Sequence, residues 1–298
     1  MTGTWRERFE ALLERKTRQA AGASLHPYVT ESEHPPESAT VIGNDWTRRL
    51  FGGGFHVSPA RMAQRPACSL VFVQSADGNT GASDPGALGG GETDKHLIYE
   101  GLSRVGADGV LAGAETVRDA NLVFSVWHPA LVALRASLGL PRHPVQIIAT
   151  LKGLDLEGSL LFNVPEVAVV LLTVASAART MQASLDARPW VTALVMSEPA
   201  ALPSAFEQMR SQGIARVSCV GGRTLARQLL DLRLVDEVYL TTAARPGGDP
   251  GTPIHTRPWR GAVAVRKHGS GPEAGVLFEH VLTKDLSRRA RTSRGRQT

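Results

Sequence analysis

Two stretches of this chain follow one pattern: Gly109-Val110-Leu111-Ala112-Gly113-Ala114-Glu115-Thr116-Val117-Arg118-Asp119 and Val217-Ser218-Cys219-Val220-Gly221-Gly222-Arg223-Thr224-Leu225. Each is an apolar run with the composition of a buried strand, ending in glycine and passing into a helix start. Such a turn aims free backbone N–H groups at an anion, and the helix dipole adds to the attraction. Two of them on neighbouring strands are suited to hold the phosphates of a dinucleotide between them. The other reading of each turn is steric, because a tight strand-to-helix connection also needs glycine.

Outward from these turns the chain alternates. Strands are expected at 67–74, 108–112, 145–149, 167–173, 191–196, 215–220 and 235–242, with helices near 94–105, 204–212 and 222–232. Alternating βα units argue for a mostly parallel sheet covered on both faces. Val263-Ala264-Val265 and Gly275-Val276-Leu277-Phe278 read as closing antiparallel strands. Ser204 and Glu207 have the spacing of a capping box. Trp5, Phe9, Leu12, Leu13 and Lys16 lie at helical spacing among charged residues, an amphipathic N-terminal helix. Residues 22–66, with His26-Pro27, His34-Pro35-Pro36 and Gly52-Gly53-Gly54, read as an extended wrapping segment. A third glycine motif, Ser75-Ala76-Asp77-Gly78, follows the strand Ser69-Leu70-Val71-Phe72-Val73. All three motifs fall at carboxyl ends of strands, where ligands of open α/β sheets lie.

The combination resembles a family. Ser75–Gly78 is similar to the Ser-x-Asp-Gly segment of the riboflavin-pathway pyrimidine reductases, and Ala107–Arg118 to their Ala-Asp-Ala-hydrophobic-Gly-Ala-Gly-Thr-Val-Arg segment. Val220-Gly221-Gly222-Arg223-Thr224-Leu225, then Leu229-Leu230 and Leu234-Val235-Asp236-Glu237, resembles their Glu-Gly-Gly-x-x-Leu…Leu-Val-Asp-Glu block. The resemblance runs in order over residues 65–280. It implies an α/β fold of the dihydrofolate-reductase type: a mostly parallel central sheet, helices on both faces, antiparallel C-terminal strands. It implies an NADPH-dependent reductase. The zinc deaminase signature His-x-Glu…Pro-Cys-x-x-Cys, which precedes the reductase in bifunctional members, is absent, so the expectation is a reductase-only relative. The expected organisation is a helical arm and extended segment over 1–64, the reductase domain over 65–283 and a basic tail over 284–298.

The resemblance also implies site residues. Gly113, Ala114, Thr116, Val117, Gly221, Gly222, Arg223, Thr224 and Leu225 are the expected cofactor contacts. Thr116 is read as a phosphate ligand or a helix N-cap, and Arg223 as a phosphate partner or an exposed charge. Thr150 and Lys152 stand where such folds select the 2′-phosphate of NADPH; the other reading is an ordinary strand-end turn. Ser75, Asp77, Asp119 and Leu122 are the expected substrate contacts. The candidate proton donors are Asp77 or an ordered water, and Asp77 alternatively makes a plain Asp-Gly turn. Gly86 and Gly89-Gly90-Gly91 read as a mobile lid or a connection without a role.

Three positions depart from the family pattern. Glu115 stands where a small residue usually precedes the threonine, and brings a like charge toward a pyrophosphate. Val220 replaces a glutamate. The arginine expected shortly after Leu122 is missing from Phe124-Ser125-Val126-Trp127-His128-Pro129, although an arginine fork is the natural partner of a substrate phosphate. His128 is a substitute donor or a structural histidine; Trp127 stacks on a heterocycle, or fills the core or a dimer contact.

Composition bounds the rest. The net charge of +5 belongs to the tail, where Lys284, Arg288, Arg289, Arg291, Arg294 and Arg296 stand against Asp285, six minus one, leaving the other residues neutral. Such a tail reads as a solvated, disordered end. No run of 18 apolar residues exists, and the N-terminus lacks a signal-peptide core, so the expected location is cytoplasmic. Cys68 and Cys219 fall inside strands and read as buried thiols, and no metal-ligand spacing is present. A homodimer is expected, with a small pyrimidine or pterin as substrate and no membrane partner. The reading is therefore hydride transfer from NADPH to a C=N or C=O carbon of an aminopyrimidine-linked sugar. Reduction of a pterin, a non-catalytic nucleotide-binding protein, and a nucleic-acid-associated protein acting through its tail stand beside it.

Overall fold

The computed structural model describes residues 4–82, 88–117, 121–256 and 261–283. Its centre is a sheet of ten strands: β1 (Val29–Glu33), β4 (Ala67–Gln74), β5 (Gly109–Gly113), β6 (Val145–Ala149), β7 (Val169–Val174), β8 (Val191–Met196), β9 (Arg216–Gly221), β10 (Glu237–Thr242), β11 (Gly261–His268) and β12 (Leu277–Thr283). They lie in the order β1-β11-β12-β10-β4-β9-β5-β6-β7-β8. From β10 to β8 every pairing is parallel, and β12, β11 and β1 add antiparallel pairings at one edge. A separate hairpin joins β2 (Thr40–Ile42) to β3 (Phe55–Val57).

The helices are α1 (Trp5–Ala21), α2 (Asp45–Phe51), α3 (Gly91–Thr93, continuing as a π-helical stretch over Asp94–Leu102), α4 (Pro129–Ser137), α5 (Ala175–Asp186), α6 (Leu202–Ser211) and α7 (Arg223–Asp231). Strand alternation sends Val71 and Tyr239 into one core and Leu70, Phe72 and Leu240 into the other. The first core takes Phe9 and Leu12 of α1, Leu50 and Phe51 of α2, Leu97 and Ile98 of the π-helical stretch, and Leu131 of α4. The second takes Phe206 and Met209 of α6 and Leu225 and Leu229 of α7. Each such fully buried side chain is worth about 1.5–3 kcal/mol relative to exposure.

Three local readings differ from the sequence expectation. Residues 22–66 do more than wrap: β1 pairs with β11, and α2 buries Trp46, Leu50 and Phe51. The reason is local, since Asn44 and Thr47 form a reciprocal cap and Gly52 closes the helix at φ 72°. The capping box at Ser204 does not form. Pro203 occupies the first turn, so α6 starts at Leu202 without a side-chain cap. Helices α4 and α5 were not anticipated; Pro129 and the His128 cap start the former. Cys68 and Cys219 are both free and buried, as expected. Burial pushes the Cys219 thiol up to about 12, so it is inert at neutral pH.

Candidate active site

Strand β9 lies between β4 and β5, so the two glycine turns sit side by side at one edge of the sheet. Gly221 has φ 146° and Gly222 φ 87°, conformations that side chains resist. A Cβ built on Gly222 would stand 3.6 Å from Cα of Gly113, and one on Gly221 would stand 3.9 Å from the Thr116 hydroxyl. Helix α7 opens directly from Gly222 with no side-chain cap, leaving its first N–H groups toward this junction. Ala114–Val117 forms a 3-10 turn after β5.

The expected cofactor residues divide by burial. Val117 and Leu225 are core residues, at 4% and 6% exposure, and offer the site only their backbone. Arg223 is half-buried, while Glu115, Thr224 and Lys152 are exposed. Thr150 is buried, and its hydroxyl donates to the Gly153 carbonyl at 3.0 Å. The strand-end turn is thus present, and only Lys152 of the pair offers a donor to solvent. Beside the first glycine turn is a cleft of about 250 Å³ lined by Ala114, Val117, Leu154, Asp155, Ser159 and Phe162. The Ser159 hydroxyl in its wall is buried without a hydrogen-bond partner among the described residues. A larger hollow, about 380 Å³ between α1 and Pro141–His143, lies at the amino end of β6, away from this edge.

The Ser75–Gly78 motif is a knot between two loops. Asp77 accepts from the Ser75 hydroxyl at 2.5 Å, from Asn79 Nδ2 at 3.0 Å and from the Gly247 N–H at 3.2 Å. Asn79 also donates to the Gly247 carbonyl and accepts from the Thr252 N–H. The Ser75 hydroxyl, the Gly247 N–H and the Asn79 amide hold the Asp77 carboxyl below the usual carboxylate range. Three donors stabilise the Asp77 anion, which favours its ionised form. Ser75 is fully buried and supports Asp77 from within. Asn79 and the segment Gly247–Thr252 were missed, although the Gly-Pro cluster after β10 marked a loop in the sequence.

Of the remaining substrate positions, Asp119 lies outside the described residues, as do Arg118, Gly86 and the basic tail. Leu122 packs against the first core. The segment that lacks the arginine is structural. Gln146 pairs with the backbone of Phe124 at 2.8 and 2.9 Å, and the buried Glu100 carboxylate accepts the N–H groups of Trp127 and His128. Trp127 fills the core at 8% exposure. His128 caps α4, its Nδ1 accepting the Ala130 N–H, and lies 4.6 Å, ring to ring, from Trp46; burial lowers its pKa. The Leu234–Glu237 block is at the opposite end of the sheet from the glycine turns. Asp236 accepts both Arg65 guanidinium nitrogens at 2.8 Å and the Cys68 N–H, and Glu237 pairs with His280 at 2.9 Å.

Seven parallel strands, antiparallel closing strands and paired glycine turns at the carboxyl edge define an α/β domain of the dihydrofolate-reductase type. The family model described as the RibD C-terminal domain matches residues 66–258, and the chain belongs to that family. A pyrimidine reductase-like protein from Corynebacterium diphtheriae superposes with a TM-score of 0.60 at 23% identity, over 74% of this chain and 92% of that one. RibD of Acinetobacter baumannii superposes at 0.56 and 19% identity; this chain covers 59% of it, and 74% of this chain takes part. The riboflavin biosynthesis reductase Rib7 of Saccharomyces cerevisiae gives 0.52 at 18% identity, over 74% of this chain and 91% of that one. At these identities the likeness is one of fold. No curated protein sequence matches the chain. Among the described residues no helix is long and apolar enough to cross a membrane.

Proposed function

We propose that this protein is an NADPH-dependent reductase that transfers a hydride to a C=N or C=O carbon of an aminopyrimidine-linked sugar of the riboflavin type. The observation that carries the reading is the abutment of Gly113 with Gly222 at the head of α7. Two side-chain-free turns on adjacent strands leave room for a pyrophosphate against backbone N–H groups, and the α7 dipole favours its charge. The cleft lined by Ala114, Leu154 and Phe162 suits the adenine, and Lys152 is the cation available to a 2′-phosphate. The bound nicotinamide supplies the hydride. The Asp77–Asn79–Gly247 knot holds the loops after β4 and β10 in one arrangement and presents a fixed negative charge to the substrate's hydroxyl groups. Family membership supports the substrate class, and the relatives named for pyrimidine reduction share the fold. We also assign the chain as a homodimer of the cytoplasm.

The test is calorimetric titration of the full chain with NADPH, followed by oxidation of the reduced nicotinamide on adding 5-amino-6-(5-phosphoribosylamino)uracil. Binding with turnover is the expected outcome. Binding without turnover on this substrate or on dihydropterins favours a nucleotide-binding protein, and no binding overturns the assignment.

A further inference from the structure

With Asp77 ionised, the proposed reduction lacks a proton source among the residues read from the sequence. A second carboxyl sits at the same edge of the sheet. Val73 and Thr241 face each other across β4 and β10, one residue before both strands end. Thr241 donates its hydroxyl to Asp94 Oδ1, and Asp94 is 3% exposed. The other oxygen, Oδ2, accepts no hydrogen bond among the described residues. The backbone of Gly90 passes over it: a Cβ built there would stand 2.9 Å from Oδ2 and 3.2 Å from Val73 Cγ2. Gly90 thus puts no side chain over that oxygen.

Tyr28 and Glu273 are the titratable groups that other elements bring into interaction with Asp94. Tyr28, from the arm before β1, is 4% exposed, and its hydroxyl has no hydrogen-bond partner among the described residues. Glu273, between β11 and β12, accepts the Thr93 N–H at 3.1 Å, and its carboxylate would touch any Cβ placed on Gly91. His26 donates its N–H to the Thr93 hydroxyl. Glu273 and Asp94 both raise the Tyr28 hydroxyl pKa beyond what burial does. No cation is among the groups that shift Asp94. A carboxyl in such a place keeps its proton to unusually high pH. Burial, and then the Glu273 charge, against the opposing Thr241 hydrogen bond, move it from 3.8 to about 7. A proton donor serves best when its pKa lies near the working pH.

We infer that Asp94 is the proton donor of the reduction, with Thr241, Tyr28 and Glu273 as its positioning residues. The inference rests on the reductase reading above. In the step, the C=O or C=N carbon receives the hydride pair and its π electrons move to the heteroatom. The Asp94 O–H bond breaks as a new O–H or N–H bond forms there. The Asp94 carboxylate then regains a proton from water, so the enzyme is restored and no further redox partner is needed. Two of the contributing residues, Tyr28 and Glu273, lie outside the stretch 66–258 that the family model covers.

The experiment uses the full chain in four forms: wild type, Asp94→Asn, Thr241→Val and Glu273→Gln. Carboxyl-carbon NMR of the protein without cofactor reads the Asp94 titration, and single-turnover rates with saturating NADPH and substrate are taken against pH. The wild type is expected to titrate near neutrality and to lose rate above that pH. Asp94→Asn is expected to bind NADPH as the wild type does, but to lose roughly 10²–10⁴-fold in rate together with the alkaline limb. Thr241→Val removes a hydrogen bond to the anion and moves limb and titration to higher pH. Glu273→Gln removes a like charge and moves both to lower pH. An Asp94 that titrates as an ordinary aspartate, or an Asp94→Asn enzyme that keeps the wild-type rate and limb, overturns the assignment while the reductase reading stands. A wild type that neither binds NADPH nor turns over removes both.

Discussion

Gly113 and Gly222 meet across adjacent strands, with Cα of Gly113 only 3.6 Å from where a Gly222 side chain would begin. The neighbouring Gly221, at φ 146°, has a conformation that β-branched residues avoid. Gly221→Val is therefore expected to abolish NADPH binding while largely sparing the fold. Circular dichroism and calorimetry on the same sample check it. A folded variant that binds normally would make the turn purely structural.

Lys152 is exposed, and Thr150 spends its proton on Gly153. Lys152→Ala is expected to narrow the preference for NADPH over NADH by about 0.2–1 kcal/mol, the range of an exposed ion pair. Thr150→Val is expected to act on the turn and to weaken both nucleotides alike. Parallel titrations with the two cofactors separate the effects, and unchanged selectivity in Lys152→Ala would relocate the 2′-phosphate.

Glu115 is exposed on the 3-10 turn next to Thr116. A carboxylate beside a pyrophosphate repels it, so Glu115→Gly is expected to tighten NADPH by about 0.3–1 kcal/mol. Rising salt is expected to shrink the gain, because the repulsion is screened. Weaker binding would mean that the glutamate contacts the cofactor favourably.

Asp236 takes two hydrogen bonds from Arg65 at 2.8 Å in a buried place. Asp236→Asn leaves the guanidinium buried without its charge partner and is expected to cost about 3–5 kcal/mol. Denaturant titration reads the loss. Nucleotide affinity at low temperature should survive, since the pair lies at the opposite end of the sheet from the glycine turns.

Glu237 gives the acid side of the stability curve. Burial pushes its carboxyl up, but the His280 hydrogen bond and charge, Arg216 and Tyr239 outweigh that and hold it below 4.5. Its folded pKa is thus below the unfolded one. The stabilisation it gives is present above the unfolded value and is lost as pH falls through the folded value. Glu237→Gln is expected to lower stability at neutral pH and to flatten the acid decline in thermal melts. An unchanged acid slope would put the transition on other carboxylates.

Much of this architecture is written locally. The strands at 67–74, 145–149 and 191–196 have the bounds expected from their apolar runs. The other parallel strands begin one or two residues later than expected, because pleat and turn chemistry act over a few neighbours. The glycine pair was visible for the same reason: a strand that ends in glycine and opens a helix announces its own geometry. Where local signals competed, the outcome was hidden. Pro203 overrode the Ser204 cap, and Asn44 with Gly52 made a helix in a stretch dominated by proline and glycine.

The glycine turns and Asp77 could be named from the chain alone, but Asn79, Asp94 and the roles of all of them depended on what folding brought together. Asp77 and Asp94 are both aspartates next to glycine-rich sequence. One meets the Gly247 N–H, 170 residues away, and becomes a settled anion. The other is carried beneath Gly90 against Thr241, 147 residues away, and beside the arm's Tyr28, where burial pushes its pKa up to about 7. Likewise Leu234–Glu237 follows the second glycine turn in the block that carries the family resemblance, yet the register of β10 on β4 sets its carboxylates at the far end of the sheet. Periodicity and turn chemistry are properties of neighbours in the chain. A carboxyl's charge is set by desolvation and by partners that only strand order and register bring within reach.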